Sequence, residues 1–177
     1  MKRAHVSYKT FYKHFSSKED CFLALFETAF ARTERTIRER LDAAPRPWPD
    51  QVVLALRTLM ETIAADPVMA RAVLVKAPVT GSAIADRYEQ AIQGFVPLFS
   101  AGRELNPRSA DLPATLEDAL VGAIFWSAYQ RLLVGEADQL NADLPVLIEL
   151  VLRAYIGPEK ASRIARAEAL GLQPVLA

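Results

Sequence analysis

The stretch VSYKTFYKHFSSKE, Val6–Glu19, interleaves aromatic residues with lysines and hydroxyl side chains. Phe11 and Phe15 lie four positions apart, which places both on one face of a helix over residues 7–15. The two rings can anchor this helix to a small core, so the other side chains project elsewhere as cations and hydroxyl donors. Such groups bind phosphate oxygens and reach base edges in a major groove. A helix with a merely solvated basic face explains the spacing equally well.

A long helix is expected directly behind this stretch. Ser16 or Ser17 can cap its start, and Ser16 with Glu19 has the spacing of a capping box. The apolar residues recur at helical spacing: Phe22, Leu25, Phe26, Phe30, Ile37 and Leu41. The prolines of Pro45–Pro49 must end the helix, because proline lacks the amide donor. We therefore expect a connecting helix over about 18–44.

Helical periodicity continues through the rest of the chain. Expected helices cover about 50–65, 67–76, 82 onward with a break at Pro97, 115–134, 141–156 and 159–170, with a loop over Pro78–Gly81. No sustained strict alternation of apolar and polar residues is present, and glycine is sparse. The pattern predicts an all-α fold, a helical bundle.

Composition excludes several classes of protein. The single cysteine, Cys21, rules out an internal disulfide framework and fits a reducing compartment. The longest largely apolar stretch without charge, residues 119–130, is shorter than the roughly 20 residues of a membrane-spanning helix. No signal peptide is recognisable, and we expect a cytoplasmic protein that does not act at a membrane. The net charge is zero, yet residues 1–18 contain no acid.

The run AHVSYKTFYKHFSSKED, Ala4–Asp20, resembles the end of the helix-turn-helix in the tetracycline-repressor (TetR) family. That signature has a turn of type A-G-V-S, a short recognition helix and then S-K-E or similar. The matching residues are Thr10, Phe11, Tyr12, His14, Phe15, Ser17, Lys18 and Glu19. The resemblance implies a partial DNA-binding domain over 1–44, with the recognition helix at about 7–15. A larger ligand-binding and dimerisation domain would cover 50–177.

The resemblance also implies which side chains contact DNA, with Phe11 and Phe15 as structural residues. Those expected at phosphates are Thr10, Tyr12, His14 and Lys18. Those expected at bases are Ser7, Tyr8, Lys9 and Lys13.

Two departures from the family pattern concern the first residues. His5 stands where the family usually has a glycine in the turn, a position where other residues take the left-handed conformation at some cost. Only six residues precede Ser7, too few for the positioning helix of a helix-turn-helix. We therefore expect the remnant of an N-terminally truncated motif, and weak or no operator binding by this chain alone.

Bulky inward positions suggest a pocket for a small, mostly apolar or aromatic effector. The candidates are Met60, Met69, Tyr88, Phe95, Phe99, Phe125, Trp126 and Tyr129. Ordinary core packing explains any one of them at least as well.

The helices expected over 115–134 and 141–156 are apolar on more than one face, so they need a deeper core or a partner. The resemblance implies a homodimer through these helices. The candidate interface residues are Leu116, Leu120, Leu132, Leu147, Leu150 and Val151.

The predicted function is a ligand-responsive transcriptional repressor that binds palindromic operator DNA as a homodimer and is released by its effector. Two histidines and one cysteine provide no zinc cluster, and no phosphate-binding glycine motif is present, so we expect neither an enzyme nor a cofactor. A dimeric small-molecule-binding module without DNA-binding activity remains the alternative.

Overall fold

The computed structural model describes residues 7–76 and 82–172, and within these ranges it contains helices and no strand. The all-α prediction is confirmed. Helix α1 spans Tyr8–His14, and Ser7 caps it, since the Ser7 side-chain oxygen accepts a hydrogen bond from the amide of Thr10 at 3.1 Å. The expected loop at Pro78–Gly81 lies outside the described residues, as does the turn at His5.

Helix α2 spans Lys18–Asp42. The sequence pattern predicted a capping box between Ser16 and Glu19, whereas the cap lies one residue later. Ser17 is the cap, and its Oγ accepts from the Asp20 amide at 3.0 Å. The Asp20 carboxylate in turn accepts from the Ser16 amide at 2.8 Å and from the Ser16 hydroxyl at 3.0 Å. These reciprocal bonds fix the turn between α1 and α2.

Helix α3 spans Trp48–Ala65 and begins at the proline segment that stops α2. Arg46 joins the two helices, because its guanidinium donates to the carbonyl of Arg40 in α2 at 3.3 Å and its own carbonyl accepts from the side-chain amide of Gln51 in α3 at 2.8 Å. α3 is the central helix of the core. Its buried apolar side chains include Val52, Val53, Leu56, Leu59, Met60 and Ile63.

Short elements connect α3 to the C-terminal half. Helix α4, Pro67–Ala70, is capped by Asp66 and continues as a π-helix over Arg71–Lys76. Helix α5 spans Ser82–Gln93 and helix α6 Val96–Ser100. Pro97 lies in the first turn of α6, where a missing amide donor costs nothing, so the expected break falls just before it.

Two 3₁₀ turns, Ala101–Leu105 and Ser109–Asp111, lead into helix α7, Leu116–Val134. A buried polar cluster holds this connection. The Arg103 guanidinium donates to both carboxylate oxygens of Glu117 at 2.8 Å, and the Tyr155 hydroxyl donates to the same carboxylate at 2.8 Å. Trp48 packs edge-on against Tyr155, with ring centroids 5.0 Å apart.

Three helices complete the bundle: α7 (Leu116–Val134), α8 (Leu140–Ile156) and α9 (Pro158–Ala169). Gly135 ends α7 with a φ of 85°, a left-handed conformation that glycine adopts without a steric penalty. Helix α8 packs between α3 and α9. The Arg57 guanidinium of α3 also pairs with the Glu168 carboxylate of α9 at 2.5 Å.

Candidate functional site

Helix α1 presents a polar, cationic surface. Tyr8 is 70% exposed and Tyr12 is 52% exposed, whereas Phe11 and Phe15 are half-buried with ring centroids 5.4 Å apart. The phenylalanine pair therefore forms one less exposed face of α1, as the four-residue spacing predicts.

All eight side chains predicted to contact DNA lie on exposed positions of α1 or its flanks. They are Ser7, Tyr8, Lys9, Thr10, Tyr12, Lys13, His14 and Lys18. Ser7 is already engaged as the cap of α1, and its hydroxyl lies 2.8 Å from that of Thr10. The lysines have no ion-pair partner among the described residues, so their ammonium groups can meet phosphates.

A second feature is a cavity of about 530 Å³ between α2, α3 and the segment Asp66–Leu74. This volume lies within the range of small-molecule sites, about 300–1,000 Å³. Its apolar wall includes Leu59, Ile63, Met69, Val73, Leu74, Phe30, Phe95 and Phe125. Phe125 stacks on Phe30 at 6.2 Å and packs against Phe95 at 5.5 Å, so three rings close one side.

Polar side chains of α2 line the cavity at every fourth position: Thr28, Arg32, Thr36 and Arg40. Residues four apart share one helix face, so these four form a continuous stripe. The Arg40 guanidinium donates to the Glu61 carboxylate at 2.6 Å and to the Thr58 hydroxyl at 3.0 Å, which ties α2 to α3. Much of the polar wall thus comes from the helix that follows α1.

A comparison with protein families bears on α1. Residues 1–25 match the family model described as "Bacterial regulatory proteins, tetR family". The match covers the first 25 of the 177 residues. It supports a TetR-family transcriptional regulator with a DNA-binding helix-turn-helix, and α1 falls within the matched segment. Neither a search of curated proteins nor a search of solved structures finds a significant match.

Three of the eight residues predicted to bind an effector line the cavity: Met69, Phe95 and Phe125. Met60 and Phe99 are buried in the core, and Tyr88 packs against Phe26, where burial raises the pKa of its hydroxyl. Trp126 is 59% exposed and stacks on Tyr129, and neither lines the cavity. Since α-helical residues advance by about 100°, the neighbours Phe125 and Trp126 face different sides of α7.

The polar stripe of α2 was missed because threonine and arginine give no apolar signal. The i, i+4 recurrence of Thr28, Arg32, Thr36 and Arg40 is the sequence feature that could have shown it. The cavity also crosses the proposed boundary at Pro45–Pro49, because α2 belongs to the segment assigned to DNA binding.

The predicted dimer interface needs a correction. Leu120, Leu132, Leu147 and Val151 are at most 5% exposed, so they belong to the chain's own core, and Leu116 is half-buried. Of the six, Leu150 is exposed. The exposed apolar side chains of α7 and α8 are instead Trp126, Leu133, Val134, Val146 and Leu150, which we call the α7/α8 face. The two-sided apolar pattern did not reveal which side faces the core.

The described residues contain no group of three or more His, Cys, Asp or Glu side chains arranged to hold a metal ion. Cys21 is half-buried near the start of α2. Across residues 7–76 and 82–172, the helices are too short or too polar to cross a membrane.

Proposed function

We propose that this TetR-family chain is a homodimeric repressor that binds a palindromic operator and is released by a small, mostly apolar effector. The observation that carries the proposal is the shared helix α2. Three residues separate its start from the end of α1, and its middle lines the cavity from Leu25 to Arg40. A ligand in the cavity would therefore contact the helix that directly follows α1 and that carries Lys18 in its first turn.

The division of roles on α1 follows the family pattern and is supported by exposure. In this proposal Thr10, Tyr12, His14 and Lys18 contact phosphates, which position the protein without reading sequence. Ser7, Tyr8, Lys9 and Lys13 face base edges in the major groove. The half-buried Phe11 and Phe15 lie on the less exposed face of α1 and have a structural role.

Dimerisation is supported by the α7/α8 face. Val146 is 69% exposed and Val134 is 66% exposed, and a second copy of the same face would remove both side chains from water. A two-fold axis through this face would duplicate α1. In dimeric helix-turn-helix proteins, the two recognition helices read half-sites about 34–36 Å apart.

Selection from a pool of random-sequence duplexes tests the proposal. The chain is incubated with the pool at low ionic strength, where weak complexes persist, and bound duplexes are amplified over several rounds. The expected result is enrichment of one short sequence in two inverted copies about one helical turn apart. Enrichment of a single copy contradicts the palindromic dimer. No enrichment at low ionic strength contradicts operator binding by this chain.

A further inference from the structure

The cavity has a strongly apolar interior and a rim with mixed charges. We infer that its effector is an elongated apolar molecule with one anionic headgroup, and that Arg32 binds this headgroup. The inference rests on the proposed function, since it names the chemical class of the effector for the same cavity.

The apolar interior selects the body of the ligand. Phe30, Phe95 and Phe125 form one wall, and Leu59 and Ile63 of α3 form another. Hydrocarbon buried here is removed from water, which favours binding of an apolar ligand. No charged side chain is among these five, so a ligand must place its charge at the rim.

The shape follows from the stripe on α2. Its members run from Thr28 to Arg40, a rise of about 18 Å at 1.5 Å per residue. A ligand that lies along α2 and contacts the whole stripe is therefore long and narrow.

Three of the rim charges are already compensated within the protein. Arg40 and Glu61 neutralise each other, with Nη1 and Oε2 2.6 Å apart. The Asp66 carboxylate accepts from the Met69 amide at 3.0 Å as the cap of α4, where free backbone amides stabilise a negative charge.

The threonine hydroxyls at the cavity have used their donor hydrogens. Thr28, Thr33, Thr36 and Thr62 each donate to the carbonyl four residues earlier, at 2.7 to 3.0 Å. They offer acceptor lone pairs to a ligand but no free hydroxyl donor. They therefore cannot be the groups that hold an anion.

Arg32 remains. Among the described residues, it is the cation at the cavity whose side chain has neither an ion pair nor a hydrogen bond. Its guanidinium carries five donors in a fork that matches a carboxylate. Arg35 and Arg38, the neighbouring arginines of α2, do not line the cavity and lie near Glu39 and Glu34.

A matched set of three probes tests the headgroup: dodecanoate, dodecanol and dodecylamine, which share one alkyl chain. Binding to the full chain is measured by isothermal titration calorimetry at neutral pH, below micelle formation. We expect dodecanoate to bind about tenfold more tightly than dodecanol, and dodecylamine to bind most weakly. The variant Arg32→Gln should remove the preference for dodecanoate, whereas Arg35→Gln, a matched arginine outside the cavity, should preserve it.

A variant of the cavity wall tests the effector cavity separately from the anionic headgroup. Ala70→Phe adds a ring to the cavity wall and should weaken dodecanoate and dodecanol alike, provided its circular dichroism matches the parent. Equal affinity for dodecanoate and dodecanol, tighter binding of dodecylamine, or an unchanged preference in Arg32→Gln would overturn the anionic headgroup and leave the proposed effector cavity standing. If none of the three probes binds, both the headgroup and the effector cavity are contradicted.

Discussion

Gly102 lies against the indole of Trp48, so closely that a Cβ atom on Gly102 would stand 2.4 Å from Trp48 Cζ2. The ring cannot swing aside easily. Its Nε1 donates to the carbonyl of Leu98 at 2.8 Å, and its edge packs on Tyr155. The contact fixes the start of α3 against the 3₁₀ turn that leads to α7.

The first prediction concerns this contact. Gly102→Ala should destabilise the fold by about 1–3 kcal/mol, because the added methyl group overpacks a buried site. Chemical denaturation measures the change in the free energy of unfolding. A double-mutant cycle with Trp48→Phe supplies the control, since removing the six-membered ring of the indole should relieve most of the cost. If Gly102→Ala lowers the free energy of unfolding equally in the parent and in the Trp48→Phe chain, a neighbour other than Trp48 causes the strain.

The second prediction concerns the Glu117 carboxylate. Its hydrogen bonds from Arg103, more than that from Tyr155, hold the pKa of Glu117 below its ordinary value of 4.5. The ionised carboxylate therefore stabilises the fold above about pH 4.5, and this contribution is lost as the pH falls through the lowered folded-state pKa. Burial, followed by the hydrogen bond to Glu117, raises the pKa of the Tyr155 hydroxyl above its ordinary range.

Glu117→Gln should accordingly cost about 1.5–3 kcal/mol near neutral pH. The difference between parent and variant should shrink as the pH is lowered below 4.5, the ordinary pKa of the glutamate. Denaturation curves over a series of pH values measure this. Glu104→Gln, an exposed neighbour of the same turn, should change stability by less than about 0.5 kcal/mol. A difference for Glu117→Gln that does not depend on pH would refute the role of its charge.

The third prediction concerns the α7/α8 face. Val146→Arg places a charge at the centre of the proposed dimer interface and should raise the dimer dissociation constant at least about tenfold. Sedimentation velocity at micromolar concentration measures the dissociation. Val68→Arg introduces the same charge at an 82% exposed valine on α4 and should leave association unchanged. A Val146→Arg chain as dimeric as the parent, or a parent that sediments as a monomer, argues against this interface.

Much of the fold was predictable because helix ends carry local signals. The prolines before α3, the serines before α2 and Gly157–Pro158 between α8 and α9 all act through backbone donors or dihedral angles of nearby residues. The π-helix at Arg71–Lys76 carries no such signal, and the sequence pattern predicted an ordinary helix there.

The sites were less predictable because they depend on which helix faces which. Leu132 and Leu133 are equally apolar, yet Leu132 is 2% exposed and Leu133 is 42% exposed. Only the packing of α7 against its neighbours distinguishes them. The cavity likewise depends on the crossing of α2 over α3, which brings Thr36 and Ile63 to the same space.

The central claim is that the exposed face of α1 binds DNA. It is tested by fluorescence anisotropy with a labelled duplex at several low salt concentrations. The variants are the pair Lys9→Ala with Lys13→Ala in one chain, and Lys160→Ala on α9 as control.

The account predicts that the double variant, which loses two base-facing cations, binds more weakly at each salt concentration, while Lys160→Ala matches the parent. Equal affinities for the parent and the double variant would contradict it.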